Sequence, residues 1–476
     1  MMNKSKEKCE GRFGFLLPSL AFLVSFGFFL TLYPSHLLRR EQLNLFVYDW
    51  DYIAMKFNGI GWLSRLSGSF VEQFFFSRVF GALIVALLLT SIGVVTYRIC
   101  RHFLGGRMSA VIALLVFIWS FLRECGNLYL TRYTIATLGL LSLILLALQF
   151  KTVLGRILAL VPLLCFGAWA FGAPFNSIYG RLWGLPRLSS ERLFEMDMAV
   201  SKEDWDRVLD LSEKDLYSVE ASNCFNLAMA MKGQLGNGLF DYPQPGDVYH
   251  FLPFVTGDQN VFYNNLAGEL WYQLGDMTIA EQGAITCLQA SPEHTGARFI
   301  ERLARVNMIT GQDATAQKYL NILSKTLHYG KWARRMLDGT LTEEEEHRIE
   351  CAITNMVSSD TIHVASNPRT VLLALLEVNP ENTVARQFLL CHDLLRYDLN
   401  QFCDDYAVSK LDGHIYTEAY MIWLGQNNIS SQQAVDEYGI DDSYAKRMDT
   451  FFRYPENYRN TYWYYYLKAL KEQDRI

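Results

Sequence analysis

Four uncharged apolar runs crowd residues 79–174: Val79–Tyr97, Met108–Leu122, Tyr133–Phe150 and Ile157–Pro174, with a fifth, Phe13–Tyr33, ahead of them. An α-helix needs roughly 20 apolar residues to cross about 30 Å of hydrocarbon, and all but Met108–Leu122 approach that length. Backbone groups in lipid must be satisfied within the segment, so such runs form helices and not strands. The pattern therefore predicts an all-α chain that begins with about five transmembrane helices. Five buried helices of a soluble core are the alternative, and the Lys/Arg clusters bounding the runs argue against it.

Charge divides the chain into unlike parts. Residues 1–174 carry 16 Lys+Arg against 7 Asp+Glu, and residues 175–476 carry 27 against 42, formal charges of +9 and −15. An acidic second part lacks the basic face that phosphate backbones require, which excludes nucleic acid as its partner. Basic loops stay cytoplasmic. Lys4, Lys6, Lys8 and Arg12, then Arg98, Arg101 and Arg107, then Lys151 and Arg156 fall on one side if five spans are counted. The same count puts Pro34–Arg78 and everything after Pro174 on the exported side, the periplasm of a bacterium. The first run is longer than the h-region of a signal peptide and has no A-x-A-like cleavage site before Pro34, so it is expected to remain as an anchor.

The resulting division is 1–34, cytoplasmic tail and first transmembrane helix; 35–78, exported aromatic interfacial loop; 79–174, four transmembrane helices; 175–476, exported helical repeat domain. Gly180, Gly184 and Pro186 break the chain between the last two. Ser201-x-x-Asp204 and Thr342-x-x-Glu345 are capping-box-like helix starts.

Repeat signals follow. In residues 264–292, Gly268 stands where two helices cross closely and Trp271 and Tyr272 are bulky packing residues. Gly275-Asp276 marks the turn, Ala280 and Ala284 lie on the second helix, and Pro292 ends it. A second unit has Ala304, the turn at Gly311-Gln312-Asp313, then Ala316, Tyr319 and Leu323; the turn glycines lie 36 residues apart. This spacing resembles the tetratricopeptide repeat (TPR), with weaker echoes at 226–238 and 379–406. The resemblance implies a TPR-like α-solenoid, whose stacked helix pairs offer a concave face to extended ligands. The aromatic tail around Tyr462–Tyr466 either caps this array by burial or faces a partner.

The loop before the second run mixes rings and charges: Phe46, Tyr48, Trp50, Tyr52, Phe57, Trp62, Phe70 and Phe74–Phe76 suit the headgroup zone as one or two short surface helices. Its carboxylates Asp49 and Asp51 follow the first span. There a carboxylate acts as a helix cap or, as catalyst, takes a proton from an acceptor hydroxyl. The D-W-D-Y motif is similar to the first exported loop of polytopic glycosyltransferases that use lipid-phosphate sugar donors. That likeness implies Asp49 or Asp51 as base, with Arg39, Arg40 and Arg132 as candidates to hold a lipid phosphate.

No P-loop, G-x-S-x-G, H-E-x-x-H or EF-hand spacing occurs, and the nine His are dispersed, so neither a metal nor a cofactor is expected. The nine Cys form no C-x-x-C, and the five in the exported part, Cys224, Cys287, Cys351, Cys391 and Cys403, read as small packed hydrophobes rather than a disulfide framework. F-V-Y-D-W-D-Y (46–52), N-L-A-M-A-M-K-G-Q-L-G-N-G-L-F-D-Y-P-Q (226–244) and T-Y-W-Y-Y-Y-L (461–467) resemble an uncharacterised bacterial polytopic inner-membrane family, which brings no activity with it. Two functions are open. One is an envelope scaffold whose partners are membrane lipid and a protein or peptide bound by the acidic repeat domain. The other is an integral membrane transferase using a lipid-linked sugar, which requires a cationic cavity at Asp49 and Asp51.

Overall fold

The computed structural model describes residues 16–127, 129–173, 185–212, 218–244, 248–258, 260–357, 367–409 and 411–473, and these are helices joined by turns and short connecting segments. No strand occurs among them. The basic N-terminal tail and the breakers Gly180 and Gly184 lie outside the described residues. Two units are present. The first comprises Met1–Phe194, Ser291–Ala304 and Ala314–Thr340, and the second Glu195–Ala290, Arg305–Asp313 and Leu341–Ile476.

In the first unit each of the five apolar runs is helical. Arg78–Arg101, Gly106–Glu124 and Val153–Phe171 are long and apolar enough to cross a membrane. The Met108–Leu122 run reaches this length because its helix extends over Gly106, Arg107, Arg123 and Glu124. Leu16–Leu32 ends in a π-turn and is followed, after a 75° bend at Tyr33, by Pro34–Gln42; counting the bent pair as one span gives four. Tyr33 leaves helical geometry (φ −142°) and Pro34 opens the next helix, where its missing N–H costs nothing. The fifth expected span, Thr131–Ala147, has 17 residues, about 25 Å at 1.5 Å per residue, which is short for a bilayer core.

Small residues set the packing of these helices. Gly81, Ala82, Val85, Ala86 and Leu89 recur every three to four positions on the buried face of Arg78–Arg101, against Phe29, Tyr33, Leu37 and Phe75. Val153, Leu154, Ile157, Leu158 and Val161 of the last apolar helix remain exposed. A buried ion pair sits at the end of Gly106–Glu124: Arg40 Nη1 meets Glu124 Oε2 at 2.5 Å, with side chains 4% and 0% exposed. Thr134 donates to the other Glu124 oxygen and Arg40 also donates to the Glu124 carbonyl, so the carboxylate is fully used.

The aromatic loop forms two short helices, Trp50–Lys56 and Trp62–Glu72, then a 3-10 turn Gln73–Phe76. Its second helix is stapled to the end of Val153–Phe171: Gly61 N donates to Trp169 O (2.8 Å) and Ser64 Oγ to Phe171 O (2.7 Å). A Cβ at Gly68 would lie 2.9 Å from Arg132 Cβ and 3.1 Å from its Cα, so only glycine lets this helix approach the start of Thr131–Ala147.

In the second unit Val261–Leu274 and Met277–Ala290 form an antiparallel hairpin. The pairs Gly268–Gly283 and Val261–Cys287 run in opposite directions along the two helices. Trp271 is fully buried and donates to Pro253 O at 2.7 Å. The tail is buried too: Tyr462 donates to Leu394 O (3.1 Å) and Trp463 to Glu418 O (2.9 Å). Thr342–Glu345 forms the expected reciprocal capping box. Ser201 does not form one: it ends the preceding helix, its hydroxyl donating to Met198 O, while Asp204 alone caps Trp205–Leu211.

Candidate functional site

A cleft of about 730 Å³ opens in the first unit around Asp49. Its polar wall is Asp49, Tyr52, Lys56, Arg65, Arg132, Glu293 and Lys325 with Thr295 and Asn321, and Leu45, Val47, Met55 and Ile322 supply apolar surface. Four cations face two carboxylates, a local excess of two positive charges in a chain of formal charge −6.

Local structure fixes each group. Asp49 is the extended N-cap of Trp50–Lys56: its Oδ1 accepts from Asp51 N at 3.0 Å, which satisfies a helix-start donor. Tyr48 N donates to Lys325 O (2.8 Å), bringing the cap beside the residue that follows helix Asp313–Ser324, and Lys325 Nζ pairs with Asp49 Oδ2 at 2.5 Å. The hydrogen bond from Lys325 holds the Asp49 carboxyl below the usual carboxylate range, so it is ionised near neutrality. Asp49 and Lys325 are 28% and 51% exposed, so water screens the pair and leaves both available to a ligand.

Tyr52 donates to Leu45 O (2.5 Å), and Lys56 Nζ lies 5.3 Å above its ring. Burial, with the Glu293 charge nearby, pushes the Tyr52 hydroxyl up and keeps it a neutral donor. Arg65 donates to the carbonyls of Asn58 and Ile60, closing the turn before the second short helix. Arg132 stands on the first turn of Thr131–Ala147, whose N-terminus is capped from outside by Glu72 Oε1 accepting from Thr131 N (3.0 Å).

Glu293 joins the two ends of this cationic wall. One oxygen pairs with Lys56 Nζ and the other with Arg132 Nη1 at 2.8 Å. Burial raises its carboxyl, but Lys56, then Arg132 and Arg65, outweigh burial and hold it below the ordinary range. Glu293 (φ 57°) and His294 (φ 55°) are both left-handed, a conformation that costs a non-glycine residue about 1–2 kcal/mol.

Of the residues singled out in the sequence, Asp49 and Arg132 line the cleft. Asp51 is exposed on the first helical turn beside it. Arg39 stacks over the Phe194 ring at 4.1 Å, and Arg40 is committed to Glu124; neither reaches the cleft. Lys56, Arg65, Glu293 and Lys325 carried no local signal. In the second unit Gly268 faces Gly283, Gly275 is the left-handed C-cap (φ 107°) of its helix, and Ala280 is buried. Gly311 is also left-handed (φ 71°), and Ala316 is buried on Asp313–Ser324. No cluster of three or more His, Cys, Asp or Glu suited to a metal ion occurs among the described residues.

Compared with known proteins, residues 11–183 and 174–469 match the model of a family of unknown function. Neither the curated proteins nor the solved structures give a match.

Proposed function

The chain belongs to that family, DUF6057, to which no activity is attached, and we propose from its own residues that it is a membrane protein binding a phosphate-bearing, lipid-linked sugar in the cleft at Asp49. The observation that carries this reading is the convergence of Lys56, Arg65, Arg132 and Lys325 on one concavity that also holds an ionised carboxylate. Lysine and arginine recognise phosphate through charge-assisted hydrogen bonds, and a fixed carboxylate beside them orients an acceptor hydroxyl and draws on its proton. Asp49 fills that role; Asp51, outside the cleft, does not. The apolar helices anchor the protein in a bacterial inner membrane, with the N-terminus cytoplasmic and the cleft exported.

Purified full-length protein in detergent micelles should retain a short-chain polyprenyl-phosphate sugar in saturable fashion. Arg132→Met should weaken retention about tenfold or more, an estimate for one lost phosphate contact. Asp49→Asn keeps the helix cap, so it should retain the ligand while slowing sugar release to an acceptor by about 10²–10⁴. Retention no greater than that of an unrelated membrane protein refutes the reading.

A second reading has its own support in the Gly268–Gly283 crossing and the buried Trp271, where a TPR-like hairpin keeps small and large residues. The second unit then serves as an acidic periplasmic scaffold for a protein or peptide of the envelope, either alone or as the acceptor-binding part of the transferase.

A further inference from the structure

The Glu293 carboxylate makes the contacts a phosphate would make. Its two oxygens are divided between an ammonium, Lys56, and a guanidinium, Arg132, with Arg65 adding its charge. Both cations therefore have their charge-assisted bonds satisfied from within the chain. The Glu293 side chain is 25% exposed, so water reaches it and the bridge is open to exchange. Its backbone is also unfavourable: Glu293 and His294 are consecutive left-handed residues in a 3-10 turn, Pro292–His294, tied down by Thr295 Oγ1 to Pro292 O (3.1 Å) and Ala297 N to Asn44 O (3.0 Å). Strain of this kind persists where surrounding contacts over-determine it, and here the contacts at its centre are the two ion pairs. A ligand anion that takes Lys56 and Arg132 releases the side chain and frees the turn to relax.

We propose that Glu293 is an internal stand-in for a ligand phosphate: it holds Lys56 and Arg132 together in the free protein and is displaced when a phosphate or diphosphate binds. The proposal rests on the phosphate-binding reading of the cleft and adds its regulation. Binding then becomes an exchange of one anion for another, so singly charged anions are rejected and only a group with more negative charge than a carboxylate displaces Glu293 efficiently.

Inorganic pyrophosphate is the probe, titrated calorimetrically into the full-length protein in micelles at about 0.15 M ionic strength, where charges beyond roughly 8 Å are screened. Removing the competitor with Glu293→Gln or Glu293→Ala should tighten pyrophosphate binding about tenfold or more, equivalent to about 1.4 kcal/mol. Asp51→Asn removes the same charge from an exposed site outside the cleft and should change affinity less than about twofold. Adding Arg132→Met to Glu293→Ala should abolish the gain. Equal affinity of wild type and both Glu293 variants overturns the stand-in while leaving the cleft a phosphate site, and an equal gain from Asp51→Asn overturns it as a general field effect. Loss of folded protein in both Glu293 variants also overturns it, by making Glu293 a structural pin. Tightened pyrophosphate binding without retention of the polyprenyl-phosphate sugar upholds the stand-in for a free phosphate and removes the lipid-linked reading.

Discussion

Alanine at Gly283 and at Gly268 should have unequal effects although the two glycines face each other. Replacing glycine by alanine inside a helix gains about 1 kcal/mol of propensity at either position. The steric terms differ. A Cβ on Gly268 would lie 3.3 Å from Gly283 Cα and 3.5 Å from Ala280 O, a tight contact that a shift of a few tenths of an ångström relieves. A Cβ on Gly283 would lie 2.9 Å from Gly268 Cα and 3.2 Å from Asn264 O, both backbone atoms of the facing helix, so relief requires moving that helix. Overpacking costs about 1–3 kcal/mol, which leaves Gly268→Ala near neutral and Gly283→Ala destabilising by roughly 0–2 kcal/mol. Gly268→Leu, with no room for its branches, should lose about 1–3 kcal/mol. Amide hydrogen exchange of peptides from 261–290 in the full-length protein reads this hairpin selectively. Protection in Gly283→Ala above that of Gly268→Ala, or an unchanged Gly268→Leu, would refute the close-crossing argument.

Burial raises the Glu418 carboxyl to about 7, against the opposing Tyr462 N–H and Arg447. The folded state therefore holds this proton more tightly than the unfolded state, so the contribution of this group to stability is fully present below about pH 4.5, falls as pH rises toward about 7, and levels off above it. The full effect is about 3 kcal/mol, and melting curves from pH 5 to 8 should lose this slope in Glu418→Gln. Arg40→Met strands the buried Glu124 carboxylate and should cost about 3–5 kcal/mol, seen as lost folded protein on size exclusion, whereas Arg40→Met with Glu124→Met should recover much of it. Alkaline phosphatase fused after residue 200 should be active, with the short helix Thr131–Ala147 crossing as the fifth span, and near Arg101 inactive; the reverse pattern overturns the orientation.

The helices were legible in the sequence because their signals are local. Apolar length marks the five apolar helices of the first unit, and Thr342-x-x-Glu345 marks a capping box in the second. Local signals also set the errors. Ser201-x-x-Asp204 has the spacing of a box, but the preceding helix extends through Ser201 and takes its hydroxyl. The break at Tyr33 was hidden because Pro34 serves equally as a span's end and as the first residue of a new helix. The cleft was half visible. Asp49 and Arg132 could be named from their places beside apolar runs, but the partners that define the site lie far along the chain: Lys325 is 276 residues from Asp49, and Glu293 is 237 from Lys56 and 161 from Arg132. Pro292 reads as a helix terminator, and nothing in its neighbourhood reveals that the next residue closes an ion network. The pairing of Arg40 is equally non-local, since its partner Glu124 lies 84 residues away.

Those separations set an order of assembly. Synthesis runs from the N-terminus, so the residues of every apolar helix through Phe171 are made before Glu293 and Lys325. Until then Lys56 and Arg132 stand without their carboxylate and Asp49 without its ammonium. A chain that ends at residue 290 thus holds Lys56, Arg65 and Arg132 but neither Glu293 nor Lys325, and the segment Ser291–Lys325 brings both partners of the wall.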